Sequence, residues 1–295
     1  MAGQTKTEIR ALLAQYECNP QHRFGQNFLV DLNLLHKLVA FAQVSCGDVI
    51  LEVGPGTGSL TDCLLAEGAR VVAVEIDRGF QRLLAERYAD ESRFRLLAGD
   101  VLETKTRLNP AIAQELDAVR ADDATSTKLV ANLPYQVATP VILELLVTRA
   151  EMKSMTVTVQ EEVAQKFIAS RQRGDYGPLA ILSQLTAEVE ILARIPASAF
   201  WPAPKVSSAI LQLRRVEDAG ALPFGLLKPL ARFLRNIFAA RRKTLRKIAK
   251  DWRDSGLEEA LAEAEIASAL RPEQLDPADW RRVFLAYAHR RSEDA

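Results

Sequence analysis

Short runs rich in β-branched and aliphatic residues alternate with helical patterns over the first two-thirds of the chain. The runs are VILEV (49–53), VVAVEI (71–76), FRLLAG (94–99), KLVAN (128–132), MTVTVQ (155–160), EVEILARI (188–195) and SSAILQLRR (207–215), and helical patterns fall near 59–67, 78–88 and 138–149. Nearly continuous apolar strands separated by helices predict an α/β fold with a mainly parallel sheet covered on both faces, because a parallel crossover needs a connecting helix. The last two runs are joined by a proline-rich connection and are expected to form an antiparallel edge. Beyond about 216 the pattern is helical alone, with VEDAGALP (216–223) as a joint. The stretch RPEQLDPADWRRVF ends the chain, with Asp276 and Asp279 as candidate caps. This predicts a larger α/β domain over 1–216 and a smaller all-helical domain over 217–295. The polar stretch 103–127 is expected to be a surface excursion, and the first twenty residues carry no usable signal.

Composition narrows the class. With 295 residues, 48% hydrophobic and 26% charged, and no apolar run near the roughly 20 residues that a membrane span needs, the chain reads as a soluble globular protein. MAGQTKTEIRALLAQ is too polar for a signal peptide. Cys18, Cys46 and Cys63 are odd in number and widely spaced, matching neither a disulfide framework nor a zinc pattern, so they are expected to be reduced thiols in a cytoplasm. His22, His36 and His289 lack metal-ligand spacing, and no metal is expected. Net charge is zero, yet residues 228–253 hold ten Lys or Arg against the single acid Asp251. That segment is either a solvated helix face or a contact for an anionic partner.

The clearest ligand signal is VILEVGPGTGSLT, where Gly54, Gly56 and Gly58 allow tight turns and close approach of a ligand just before a helix. The spacing is G-x-G-x-G rather than the dinucleotide fingerprint, and Pro55 removes an amide that a phosphate would use, so a pyrophosphate cofactor is disfavoured. A purely structural turn is the alternative. Glu75 ends the next strand, where an acid can accept from both ribose hydroxyls, and Asp100 follows the third, where it can accept from an adenine amine. Either acid alone could be a cap or a surface charge. Together after a glycine loop they fit an adenosyl group without phosphates, with S-adenosyl-L-methionine as the candidate cofactor. At the fourth strand end stands Asn132-Leu133-Pro134-Tyr135. The Asn132 amide oxygen and a main-chain carbonyl held by Leu133-Pro134 can grip the hydrogens of an adenine amine, aiming its lone pair at a methyl group, while Tyr135 stacks on the base. An Asn-Pro turn with a core tyrosine is the structural alternative.

NLPYQVATP resembles the N-L-P-Y motif of the ribosomal RNA adenine N6-dimethyltransferases. HRFGQNFLVD (22–31), LEVGPGTGSLT, VEID, GDVL, AFWPAPKVSSAI (199–210) and FAARRKTLRK (238–247) are similar to further motifs of that family, from about 22 to 250. The resemblance implies a Rossmann-like S-adenosylmethionine-dependent methyltransferase sheet, with cofactor contacts from Asn27, Leu29, Gly54, Gly56, Glu75, Ile76, Asp100, Val101 and Asn132. It implies that Asn132, Leu133, Pro134 and Tyr135 hold the target amine, with Phe200 as a second aromatic face; without the family Phe200 reads as a core phenylalanine. It further implies that Arg241, Arg242, Lys243, Arg246 and Lys247 meet RNA phosphates. Gln136, Val137 and Ala138 depart from the family's N-L-P-Y-N-I-S-T, leaving Thr139 as the nearest cap for the following helix. The expected activity is dimethylation of two adjacent adenosines near the 3′ end of small-subunit rRNA, free or in an assembling 30S particle, by a cytoplasmic monomer with no membrane partner. Two other outcomes stay open: a large-subunit enzyme of the macrolide-resistance type, and a non-catalytic RNA-binding assembly factor.

Overall fold

Local sequence chemistry explains where the elements start. A computed structural model describes residues 3–21, 24–120, 126–171, 174–216, 222–252 and 255–293. His22, Arg253 and most of the 216–223 joint lie outside the described residues. The chain runs α1 (Lys6–Gln15), β1 (Phe28–Leu29), α2 (Leu32–Ala42), β2 (Val49–Val53), α3 (Ser59–Ala66), β3 (Arg70–Glu75), α4 (Arg78–Arg87) and β4 (Phe94–Ala98). It continues through β5 (Leu102–Thr104), β6 (Arg107–Leu108), α5 (Pro110–Val119), β7 (Thr127–Asn132), α6 (Ala138–Thr148), β8 (Met152–Gln160) and α7 (Glu161–Phe167). Then come α8 (Pro178–Thr186), β9 (Ala187–Ile195), β10 (Phe200–Trp201), β11 (Ser208–Arg215), α9 (Phe224–Phe238), α10 (Leu245–Trp252), α11 (Ser255–Glu263) and α12 (Pro277–Glu293).

Two of these helices correct the sequence expectation. Residues 103–127 are not a bare excursion: Asn109 caps α5 by accepting from the Ala111 amide, Pro110 takes the first turn, and Ile112 and Leu116 are buried one turn apart. That spacing and cap are what an amphipathic helix needs. The N-terminus likewise forms α1 behind a Thr5–Glu8 capping box, burying Ile9 and Leu13. At the other end of the chain, Asp276 and Asp279 cap α12 reciprocally, each side chain accepting the other's amide at 2.8 and 3.2 Å.

The main sheet has seven strands in the order β4-β3-β2-β7-β8-β11-β9. β2, β3, β4, β7 and β8 pair in parallel, β11 runs antiparallel to β8, and β9 is the edge beside β11. One sheet face carries Ile50, Val71, Ala73, Val130 and Ile210, which cluster with Leu35 and Leu38 of α2, Leu64 of α3 and Leu83 of α4. Because side chains alternate with period 2, the same face presents Glu52, Glu75, Asn132 and Thr158 toward the carboxyl ends of its strands. The apolar rows pack under helices, and the polar row is left where the strands leave the core.

Two compact units emerge: Met1–Ala164 with Glu190–Arg215, and Gln165–Val189 with Val216–Ala295. Residues 165–189 therefore belong with the C-terminal helices, although their sequence position lies within 1–216. In that second unit the Tyr176 hydroxyl donates to the Leu275 carbonyl at 2.8 Å, and Gln184 donates to the Ala169 carbonyl at 3.0 Å. Its core centres on Phe233, whose ring lies 5.0 Å from Tyr287, 5.5 Å from Phe284 and 6.2 Å from the fully buried Trp280.

Candidate active site

A cleft of about 1160 Å³, the solvent at its mouth included, opens at the carboxyl ends of β2, β3, β4 and β7. In open α/β sheets this is where ligands bind, because the loops that follow parallel strands diverge there. Every expected cofactor residue lines it: Asn27, Leu29, Gly54, Gly56, Glu75, Ile76, Asp100, Val101 and Asn132. Leu133, Pro134 and Tyr135 line it too.

The glycine loop is shaped by contacts as much as by turns. Gly56 has φ +60°, and a Cβ there would meet Phe28 Cε1 at 2.8 Å; at Gly58, with φ +86°, it would meet the Tyr88 hydroxyl at 2.4 Å. Only glycine fits both the backbone and the space. Glu75 is buried, and its two oxygens accept from the Gly56 amide at 3.1 Å and the Asp77 amide at 2.9 Å. Burial raises its pKa, and these amide bonds oppose the rise. Each oxygen keeps a second lone pair for a ligand hydroxyl. Asp77 in turn accepts from Gln21 at 2.9 Å and Gln26 at 3.4 Å, which ties the segment before β1 to the end of β3. Asp100 is exposed and accepts from the Leu102 amide at 2.9 Å. Ile76, 39% exposed, offers an apolar face to the cleft.

Asn132 closes the cleft from the β7 side. Its Nδ2 donates to the Asn27 carbonyl at 2.8 Å, and its Oδ1 accepts from the Thr158 hydroxyl. A carbonyl can only accept, so the first bond settles which end of the carboxamide is which. The Tyr135 ring is anchored by its hydroxyl, 2.7 Å from Ser208 Oγ.

One expectation fails, the Thr139 cap, and Phe200 sits in the core, as its sequence reads without the family. Phe200 is 3% exposed, pairs with Leu29 across β10 and β1, belongs to the apolar cluster and is not among the residues lining the cleft. The alternation that turns its neighbour Trp201 onto Phe28, at 6.3 Å, turns Phe200 inward. Thr139 does not cap α6: Val137 is the N-cap and no side chain bonds there.

Glu52, Thr158 and Ser208 were not singled out from sequence. Glu52 lines the cleft, is 2% exposed and accepts from Thr61 at 2.6 Å. Burial pushes its pKa up to about 8, so it is largely protonated at neutral pH. A glutamate inside an otherwise apolar run was the available signal. For Thr158 it was the polar alternation Ser154, Thr156, Thr158, Gln160 in a strand expected to be apolar on both faces.

In the second unit, Arg241, Arg242, Lys243, Arg246 and Lys247 are all exposed. Lys243 and Lys247 share Asp251 at 2.8 and 3.1 Å, exposed pairs of small energetic weight.

Residues 18–289 match the family model described as "Ribosomal RNA adenine dimethylase". A "Ribosomal RNA small subunit methyltransferase A" of Pseudomonas putida is 38% identical over 271 residues, covering 91% of this chain and 95% of the relative. The protein of the same name from Leuconostoc mesenteroides is 34% identical over 292 residues, covering 95% and 94%. Among solved structures, a dimethyladenosine transferase from Plasmodium falciparum superposes with a TM-score of 0.66 at 23% identity, covering 87% of this chain and 96% of that one. The 23S rRNA methyltransferase ErmE gives 0.60 at 24%, covering 89% and 100%. The structural likenesses show a shared methyltransferase-type fold; the family match and the two close relatives show that this chain belongs to the ribosomal RNA adenine dimethylase family.

Proposed function

We propose that the protein is an S-adenosyl-L-methionine-dependent methyltransferase that dimethylates N6 of two adjacent adenosines near the 3′ end of small-subunit rRNA. One observation carries this: a carboxamide of defined orientation, Asn132, borders a cleft that holds Glu75 and Asp100 and no Lys or Arg among its described lining residues. Carboxyl groups without counter-cations suit a positively charged adenosyl ligand and disfavour phosphates. When bound, S-adenosyl-L-methionine would supply a sulfonium methyl group to the N6 lone pair, its sulfur leaving as a neutral thioether while the nitrogen gives up a proton to water.

The chain's own residues supply position. Glu75 would take the ribose hydroxyls and Asp100 the adenine amine of the donor, with Ile76 and Val101 against its ring. Asn132 Oδ1 and a carbonyl of the Leu133-Pro134 unit would hold the hydrogens of the target amine, and Tyr135 would stack on the target base. Fixed dipoles and orientation then lower the barrier without a strong base. A target base must leave its stack to enter such a cleft, so recognition falls on an unpaired or flipped adenosine. The second unit would act as the RNA-binding domain, with Arg241, Arg242, Lys243, Arg246 and Lys247 on phosphates, which sets register rather than reading bases.

Relatives named small subunit methyltransferase A favour the small subunit over the large-subunit alternative. No helix among the described residues is long and apolar enough to cross a membrane, and Cys18, Cys46 and Cys63 are free thiols; action in the cytoplasm, on rRNA free or in an assembling particle, is part of the proposal. Action as a monomer is part of the proposal.

Asn132→Ala is the direct test. Mass spectrometry of the rRNA 3′ region should show methyl transfer reduced about 100-fold while RNA affinity stays within a few-fold, as expected when an oriented hydrogen bond to the reacting amine is removed. An unchanged methylation rate would refute the amine pocket.

A further inference from the structure

Thr158 is fully buried in β8, directly opposite Asn132 of β7 in the parallel register, and its hydroxyl donates to Asn132 Oδ1. We propose that Thr158 is a positioning residue for methyl transfer, pinning the Asn132 carboxamide from behind so that one lone pair of Oδ1 is held toward the cleft. The inference rests on the amine-pocket reading of Asn132 and adds a residue that does not line the cleft.

The Asn132 carboxamide has two anchors of different kinds. Its Nδ2 is held by the Asn27 carbonyl, which belongs to the loop before β1. Its Oδ1 is held by Thr158, in a strand paired on one side with β7 and on the other with β11, where Thr158 faces Ile210. The sheet anchor is the rigid one, because both neighbouring ladders fix the β8 backbone, whereas a loop carbonyl adjusts as a ligand enters. An amide oxygen has two lone pairs. With Thr158 on one, the amide cannot rotate without breaking a partly buried hydrogen bond, and the remaining lone pair keeps its direction. That direction matters most in the second transfer, when a monomethylated amine retains a single hydrogen to be gripped.

A buried threonine on a strand whose neighbours are valines would otherwise be replaced at little cost by valine, which has the same shape and lacks the hydroxyl. Thr158→Val is therefore the informative variant, Thr158→Ser the rescue that restores the hydroxyl, and Thr158→Ala the substitute if T158V does not accumulate folded. Single-turnover methylation of small-subunit rRNA, at saturating donor and RNA, should fall about tenfold in T158V or T158A, the scale of a small misorientation. KM for RNA and Kd for the donor should stay within about twofold, since no substrate contact is removed. N6-monomethyladenosine should accumulate in the product, and T158S should return to within about threefold of the wild-type rate by keeping the oriented hydrogen bond. Wild-type rate and product ratio in T158V, or a T158S as impaired as T158V, would overturn the proposal. Asn132→Ala run alongside separates the two failures: an active N132A removes the amine pocket itself, whereas an inactive N132A beside a normal T158V removes Thr158 alone.

Discussion

Glu52 shows how much one side chain can reveal. Its carboxyl is buried between the glycine loop and α3, bonded to Thr61, with a pKa near 8 in the folded protein, against the ordinary carboxylate value in the unfolded chain. Between pH 4.5 and about 8 the folded state holds a proton that the unfolded state has released. Stability from this group is therefore full below pH 4.5 and is lost as pH rises through about 8. The slope has an upper limit of about 1.4 kcal/mol per pH unit. Glu52→Gln keeps the shape and removes the titration, so the stability of E52Q relative to wild type should climb from pH 5 to 8 in urea melts. Parallel curves would mean that Glu52 is ionised in the fold. Neighbouring Glu75 has its rise opposed by two backbone amides, which is how two carboxyls on one face of the sheet come to differ.

Helices and strands set which of these side chains meet. β2, β3 and β7 end together, so Glu75 and Asn132 face one cleft although 57 residues separate them. α5 packs on β2, β3 and β4, burying Ile112 and Leu116, and its start depends on Asn109. Asn109→Ala should cost about 1 kcal/mol in chemical denaturation, the usual value of a missing cap. A silent substitution would show that Pro110 and packing suffice to start the helix. This helix was legible in N-P-A-I-A-Q-E-L, yet the charged residues around it hid the two apolar positions that matter.

For the chain taken entire, neutrality conceals a segregation of charge. The first unit holds the acidic cleft, and the second holds the exposed basic residues on and before α10. Replacing Arg241, Arg242 and Arg246 with Gln should flatten the dependence of log Kd for RNA on log salt by about 2 to 3, near 0.7–0.9 for each phosphate no longer neutralised. Donor affinity should not change. An unaltered slope would remove this segment from the RNA interface.

Strand periodicity, the glycine loop, the acids at 75 and 100 and the N-L-P-Y tetrad were readable directly, because each depends on neighbours within a few residues. Pairing across the chain was not. That Asn132 bonds to Asn27, 105 residues away, and to Thr158 follows from strand register, which local pattern does not specify. The inward turn of Phe200 has the same origin, and residues 165–189 join the C-terminal unit because α8 packs on α9 and α12. Burial is a property of the assembled sheet and helices, so the protonated state of Glu52 and the fixed direction of the Asn132 carboxamide exist only once distant segments have packed.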